Sequence, residues 1–157
     1  MVWVDCKKLK IGAFVIAEKI KKFGWYFQEV YGDTESGEQP FYYSIGFEKT
    51  LGQPELLMFG LPKKAAHSIM SHCFNLMKDG ETLETEKPLS RVIKDPFNVW
   101  LKPIRKDCFD EYLGIAVDYY GNDNFRANLV FFPDKQHLFP WEEGHVGISQ
   151  QEALELV

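Results

Sequence analysis

Apolar residues recur along this chain in two rhythms, and the switches between them mark out the elements. Residues 7–23, KKLKIGAFVIAEKIKKF, place Leu9, Ala13, Ile16, Ala17, Ile20 and Phe23 at three- and four-residue spacing, which predicts an amphipathic helix. Asp5 stands where it can cap the start, Gly24 where it can end the helix, and the lysines fall mostly on the outer side. The aromatic, β-prone segment WYFQEVY (25–31) follows. It runs into the polar stretch GDTESGEQP and then FYYSIGF (41–47), which predicts a hairpin with a mobile tip. KTLGQP reads as a turn, and ELLMFG (55–60) is a short apolar run suited to a central strand. Pro62 then opens the clearest helix. Ala65, Ala66, Ile69, Met70, Cys73, Phe74 and Met77 form its apolar stripe, Lys64, His67, Ser68, Ser71, Asn75 and Lys78 face away, and Gly80 closes it.

Beyond a polar, turn-rich stretch, RVIKDPFNVWLKPI (91–104) suggests two strands broken at Asp95-Pro96. CFDEYLGIAVDYYG (108–121) has helical spacing through Phe109, Tyr112, Leu113, Ala116, Tyr119 and Tyr120. RANLVFFP (126–133) is a strand stopped by proline, and a helical turn is expected within 149–156. Strands cluster between helices in the order α β β β α β β α β. This predicts one α+β domain over 1–157, with a mostly antiparallel sheet or partial β-barrel flanked by two or three helices.

Composition agrees with a single folded domain: 157 residues, 45% hydrophobic, 26% charged. Aromatics reach 15%, enough to fill a core and still supply anchoring surfaces. A net charge of −5 argues against nucleic acid as a partner, because phosphate binding needs a basic face. No apolar run has the length of a membrane span. Six lysines lie within residues 1–22 and five acids within 134–157, a charge asymmetry that two solvated faces explain better than a charge-coded partner site does. Cys6, Cys73 and Cys108 are isolated thiols with no CxxC pair, which fits a reduced, cytoplasmic protein.

Chemistry is harder to find. His67 and His72 are five residues apart, so on a helix they diverge by about 140° and suit solvent better than zinc. His137 and His145 flank FPWEEG without a ligand spacing. Cys73 lies on the apolar stripe, and neither Cys6 nor Cys108 has a histidine nearby in sequence. Ser44 lacks the glycine of a nucleophile elbow, and no phosphate-binding glycine motif occurs. Two aromatic-polar clusters remain. In the first, strand alternation puts Tyr43, Ile45 and Phe47 on a core face and Tyr42, Ser44 and Gly46 on the other, with Glu55 nearby. Gly46 leaves a gap there for a ligand or another backbone. In the second, Asp134, Trp141 and Glu142 stand in a proline-rich loop that either staples itself to the body or forms a pocket rim.

Several segments in order, among them FYYSIGFEKTLGQPELLMFGLPKKAAH, LGIAVDYYG and LVFFPDKQHLFPWEEG, resemble the bacterial family known as domain of unknown function 4262, over roughly residues 10–145. The most specific pieces are Tyr43-Ser44-Ile45-Gly46, Pro54-Glu55-Leu56, Gly60-Leu61-Pro62, Tyr120-Gly121 and Phe139-Pro140-Trp141. The chain departs from the family's VVWPD pattern at Val130-Phe131-Phe132-Pro133-Asp134. The resemblance implies a bacterial, cytoplasmic, single-domain protein and brings no activity and no catalytic residues. The leading expectation is therefore a non-catalytic binding protein with a toxin-neutralising, immunity-like or other protein-partner role, its acidic charge steering it onto a basic partner. The alternative is a small-molecule or nucleotide- or flavin-binding domain, with or without an enzymatic activity. Its pocket would lie between the 41–47 strand and the 133–144 loop, with Tyr42, Ser44, Gly46, Glu55, Asp134, Trp141 and Glu142 as ligand-binding residues.

Overall fold

The computed structural model describes residues 6–32, 35 and 38–157. Its frame is built outward from the predicted hairpin. β1 (Tyr26–Val30) and β2 (Phe41–Ile45) pair antiparallel, Tyr26 opposite Ile45 and Val30 opposite Phe41. Most of the hairpin tip, residues 33, 34, 36 and 37, lies outside the described residues, as does the expected Asp5 cap. β3 (Glu55–Phe59) pairs antiparallel with β2 and parallel with β6 (Ala127–Phe131). β5 (Val99–Pro103) runs antiparallel to β6, and the two-residue β4 (Pro88–Leu89) closes the order β1-β2-β3-β6-β5-β4. The sheet is mixed, mostly antiparallel and open, so the α+β reading holds and the barrel variant does not.

Strand alternation feeds two cores, one on each face. Phe41, Tyr43, Ile45, Leu57, Phe59, Leu129 and Phe131 face the first. Ile16 and Ile20 of α1 (Cys6–Phe23) cover it, with Phe109 of α4 (Phe109–Tyr112), Ala116 of α5 (Gly114–Tyr120) and Ala153 of α6 (Gln151–Leu154). Tyr42, Leu56, Met58, Val99, Leu101, Val130 and Phe132 face the second, under the predicted stripe of α3 (Lys63–Lys78). Fully buried aliphatic and aromatic side chains of this kind each contribute about 1.5–3 kcal/mol. The stripe carries Ala66, Met70, Cys73, Phe74 and Met77 as expected. Burial alone pushes the Cys73 thiol up to about 12. On α1 the expected stripe is narrower: Ile16 and Ile20 are buried, whereas Ala13 is exposed and Phe23 is 57% exposed, because the helix meets the body along one line of contact with β1 and α5.

Other departures have local causes. Phe47 does not share a face with Tyr43 and Ile45. Gly46, at φ 115°, turns the chain after Ile45, and Phe47 opens a short helix, α2 (Phe47–Leu51), on the opposite core. The two strands expected in 91–104 reduce to β5. Pro96 has no N–H for a ladder, and Arg91 sits in the left-handed region at φ 73°. The single helix expected over 108–121 is a 3-10 turn (Lys106–Cys108) followed by α4 and α5. Leu113, at φ −118° and ψ 29°, breaks it ahead of Gly114, a poor helix former. No described helix is long and apolar enough to cross a membrane.

Candidate functional site

Glu55 opens β3 and is wholly buried. Four donors converge on it. Ser44 Oγ (3.1 Å) and the Phe47 amide (2.7 Å) reach Oε1, while the Gly46 amide (2.9 Å) and the Tyr120 hydroxyl (2.9 Å) reach Oε2. The two hydroxyls are themselves oriented, since Ser44 Oγ accepts the Leu56 amide and Tyr120 the Lys49 amide. The cluster thus ties β2, the turn into α2, β3 and α5 together through one carboxyl group. Burial pushes that group up to about 8, and the amides of Gly46 and Phe47 and the two hydroxyls pull the other way. The gap at Gly46 is filled by backbone: an added Cβ would lie 3.0 Å from the Gly24 carbonyl oxygen and 3.1 Å from the Trp25 Cα. Tyr42 is buried against Phe27, ring centroids 5.4 Å apart.

The second cluster is held as tightly. Asp134 Oδ1 accepts the amides of Gln136 and Leu138, both at 2.9 Å, and Oδ2 that of Val146 at 3.1 Å. Burial works to raise its carboxyl, but these amides and the nearby His145 outweigh it and leave the group below its usual range. Glu142 accepts the Phe139 amide at 2.7 Å and closes the turn that carries Trp141. The Trp141 ring stacks on Phe139 (5.2 Å, 7°), meets Trp100 and Phe131 edge-on, and has the Lys102 ammonium 4.5 Å from its centre. It remains 38% exposed.

The two clusters sit on different parts of the sheet. Tyr42, Ser44, Gly46 and Glu55 are closed within β2, β3 and the turn between β2 and α2. The aromatic loop leans on β5 and β6 through Trp100 and Phe131. Asp134 lines an open groove of about 890 Å³ whose walls are apolar. This groove lies where β3 and β6 end. Leu61 and Ile69 come from the β3–α3 side, Ile93 and Phe97 from the segment before β5, Phe132 from the end of β6, and Ile148 from the C-terminal segment. That last wall is pinned. Gln150 pairs with both the amide (2.8 Å) and the carbonyl (2.9 Å) of Phe132, as a neighbouring strand would. Gly60, at φ 79°, admits the Ser149 carbonyl, which would lie 3.0 Å from an added Cβ. Val146 stands 80% exposed at the rim. Sequence reasoning had no signal for Gln150, Ile93 or Ile148, whose roles arise from chain crossings. Tyr120 was visible in the helical spacing of 108–121 and in a quoted motif, but not as a partner of Glu55.

Among the described residues no three histidine, cysteine or carboxylate side chains converge as metal ligands. His67 packs on Trp25 and Phe27, and His72 hydrogen-bonds the Arg91 carbonyl. The family described as Domain of unknown function (DUF4262) matches the chain over residues 19–146. No curated protein and no solved structure matches it.

Proposed function

The chain belongs to the DUF4262 family, a membership that assigns no activity, and we propose that it is a non-catalytic binding protein whose groove at the ends of β3 and β6 receives apolar anchor side chains of a protein partner. One observation carries this reading: an apolar, preformed groove of about 890 Å³ with Val146 and Ile148 exposed beside it. Monomeric surfaces seldom leave such a patch uncovered, and buried aromatic or aliphatic anchors dominate protein recognition. The carboxylates that sequence offers for acid–base chemistry support it too. Glu55, Asp134 and Glu142 each hold backbone amides. The toxin-neutralising form of the role rests on the net charge of −5 alone, and Lys135 in the groove lining adds nothing to it. A reducing, cytoplasmic setting fits the free thiols of Cys73 and Cys108.

The test is selection of displayed random peptides on the folded protein. Peptides sharing apolar anchors should emerge, and Val146→Lys at the rim should weaken them about tenfold or more. Ile115→Lys, on an exposed apolar residue of α5, should leave them unchanged. Failure to select any peptide, or peptides indifferent to Val146→Lys, would sink the proposal. Saturable binding of small apolar molecules with no peptide binding would count the same way.

A further inference from the structure

At the opposite end of the β3–β6 pair lies a second opening, of about 620 Å³, and its chemistry differs. It forms between the start of β6, the end of β5 and the 82–85 loop that follows α3. Asn128 lines it. This residue is 5% exposed and sits in mid-sheet, opposite Leu56 on one side and Pro103 on the other. Alternation along β6 places Asn128 on the face of Val130 and Phe132, toward the 82–85 loop. Its carboxamide makes no hydrogen bond to any described residue. Among the described residues the four other buried polar side chains, Ser44, Glu55, Asp134 and Gln150, all hold hydrogen bonds within the protein.

The polar side-chain atoms sealed without a partner among the described residues are Trp100 Nε1 and His145 Nε2; the Asn128 amide is not one of them and keeps access to the opening. A carboxamide turned into an opening finds its partner in whatever fills the opening. It presents a carbonyl acceptor and an N–H donor side by side, so its complement is a planar group with one donor beside one acceptor. The flanking surfaces suit a flat ring: Leu83, packed on the same face of the sheet, and Pro54 supply apolar contact, and Thr82 and Gln53 further polar groups. Lys106 and Arg126 also line the opening, but both are committed within the protein. Lys106 donates to the carbonyls of Asp123 and Phe125, and Arg126 pairs with Glu48 at 2.8 Å and with the Gly52 carbonyl. The recognition falls to Asn128.

We infer that this opening is a small-molecule site for a planar ring bearing a lactam or imide edge, the class of which uracil is the simplest member, read by the Asn128 carboxamide. It is independent of the groove at the other end of the strands.

The probe is uridine, followed through the side-chain NH2 resonances of ¹⁵N-labelled protein. The Asn128 resonances should shift saturably on titration. 3-Methyluridine, whose imide N–H is blocked, should bind about ten- to a hundredfold more weakly, the worth of one bidentate amide pair. Asn128→Leu should abolish the uridine shifts at backbone amides of residues 82–85 while holding or raising the midpoint of thermal unfolding. No saturable shift with millimolar uridine overturns the proposal, as does equal binding of the methylated probe. A thermal midpoint lowered by Asn128→Leu, in a wild type that ignores uridine, assigns the carboxamide to the fold through bound water instead.

Discussion

Replacing Glu55 by Gln isolates the balance that builds the β2–β3 junction. The substitution keeps shape and removes the charge. Oε1 can still accept from Ser44 and Phe47, and the Tyr120 hydroxyl can rotate to accept from the new amide. The Gly46 N–H cannot turn, so it faces an NH2 group and is orphaned. That costs about 1–3 kcal/mol. A protonated Glu55 avoids this loss, because its hydroxyl oxygen still accepts from Gly46. The second effect is pH. The Glu55 carboxyl is raised to about 8 in the fold, from 4.5 in the unfolded chain. The folded state therefore binds a proton that the unfolded chain has released, and stability falls as pH rises between those values, by about 1.4 kcal/mol per pH unit. From about pH 5 to about pH 8 the wild type should lose roughly 4 kcal/mol relative to Glu55→Gln. Every other titrating group is shared and cancels.

The two stability curves should therefore cross. The variant should be the weaker protein near pH 5, by about 2 kcal/mol, and the stronger one near pH 8 by a similar margin. Urea unfolding followed by the fluorescence of Trp25, Trp100 and Trp141 measures both at each pH. If the wild type instead gains on the variant as pH rises, the four donors outweigh burial, the carboxyl is ionised throughout, and the reasoning fails.

Trp141→Ala should cost about 2 kcal/mol rather than the 3–5 of a fully buried aromatic, because the ring is 38% exposed; a loss below about 0.5 kcal/mol in chemical denaturation would refute its stapling role. Gly46→Ala forces a Cβ onto φ 115° and to 3.0 Å from the Gly24 carbonyl, and should destabilise by about 2 kcal/mol or more; an unchanged urea midpoint would show that the turn relaxes freely. Asp134 titrates below its ordinary value, so its contribution is present above the unfolded pKa and is lost as pH falls through the folded one. Hydrogen exchange at the Leu138 and Val146 amides should accelerate on Asp134→Ala near neutral pH, and unchanged protection would refute the anchoring role.

What sequence disclosed was what neighbouring residues decide. The α3 stripe, the β1–β2 alternation and the apolar runs of β3 and β6 are short-range patterns, and each formed where the pattern lay. The break at Leu113 and the loss of a strand before Pro96 are local as well, but in them one awkward residue overrode a longer periodic signal. The candidate site behaved differently. Alternation correctly separated Tyr42 from Tyr43, yet it could not show that the Gly46 gap would receive the backbone of Gly24 and Trp25. Nor could it show that Glu55 would meet Tyr120, sixty-five residues away. Gln150 mimics a strand across eighteen residues of chain, and no spacing rule encodes that.

The parallel pairing of β3 with β6 is the feature from which both openings follow. Antiparallel neighbours joined by hairpins would close each end of the sheet with a turn. A parallel neighbour needs a crossover, and here the chain leaves the end of β3 through Gly60 into α3 and returns to start β6 at the far end. Each end of the pair is therefore bounded by a connection that cannot be a tight turn, and each is left open. At one end the Asp134-organised loop and the Gln150 segment make the gap apolar; at the other, a polar residue at the start of β6 makes it a place for directional hydrogen bonding. The two carboxyl groups hold these boundaries in position, Asp134 within the apolar groove and Glu55 beside Gln53 and Pro54 of the opening at the other end. Substituting either carboxylate should then change stability first and binding only through it, whereas Val146 and Asn128 should change binding without the fold. That division is what separates scaffold from site in this protein.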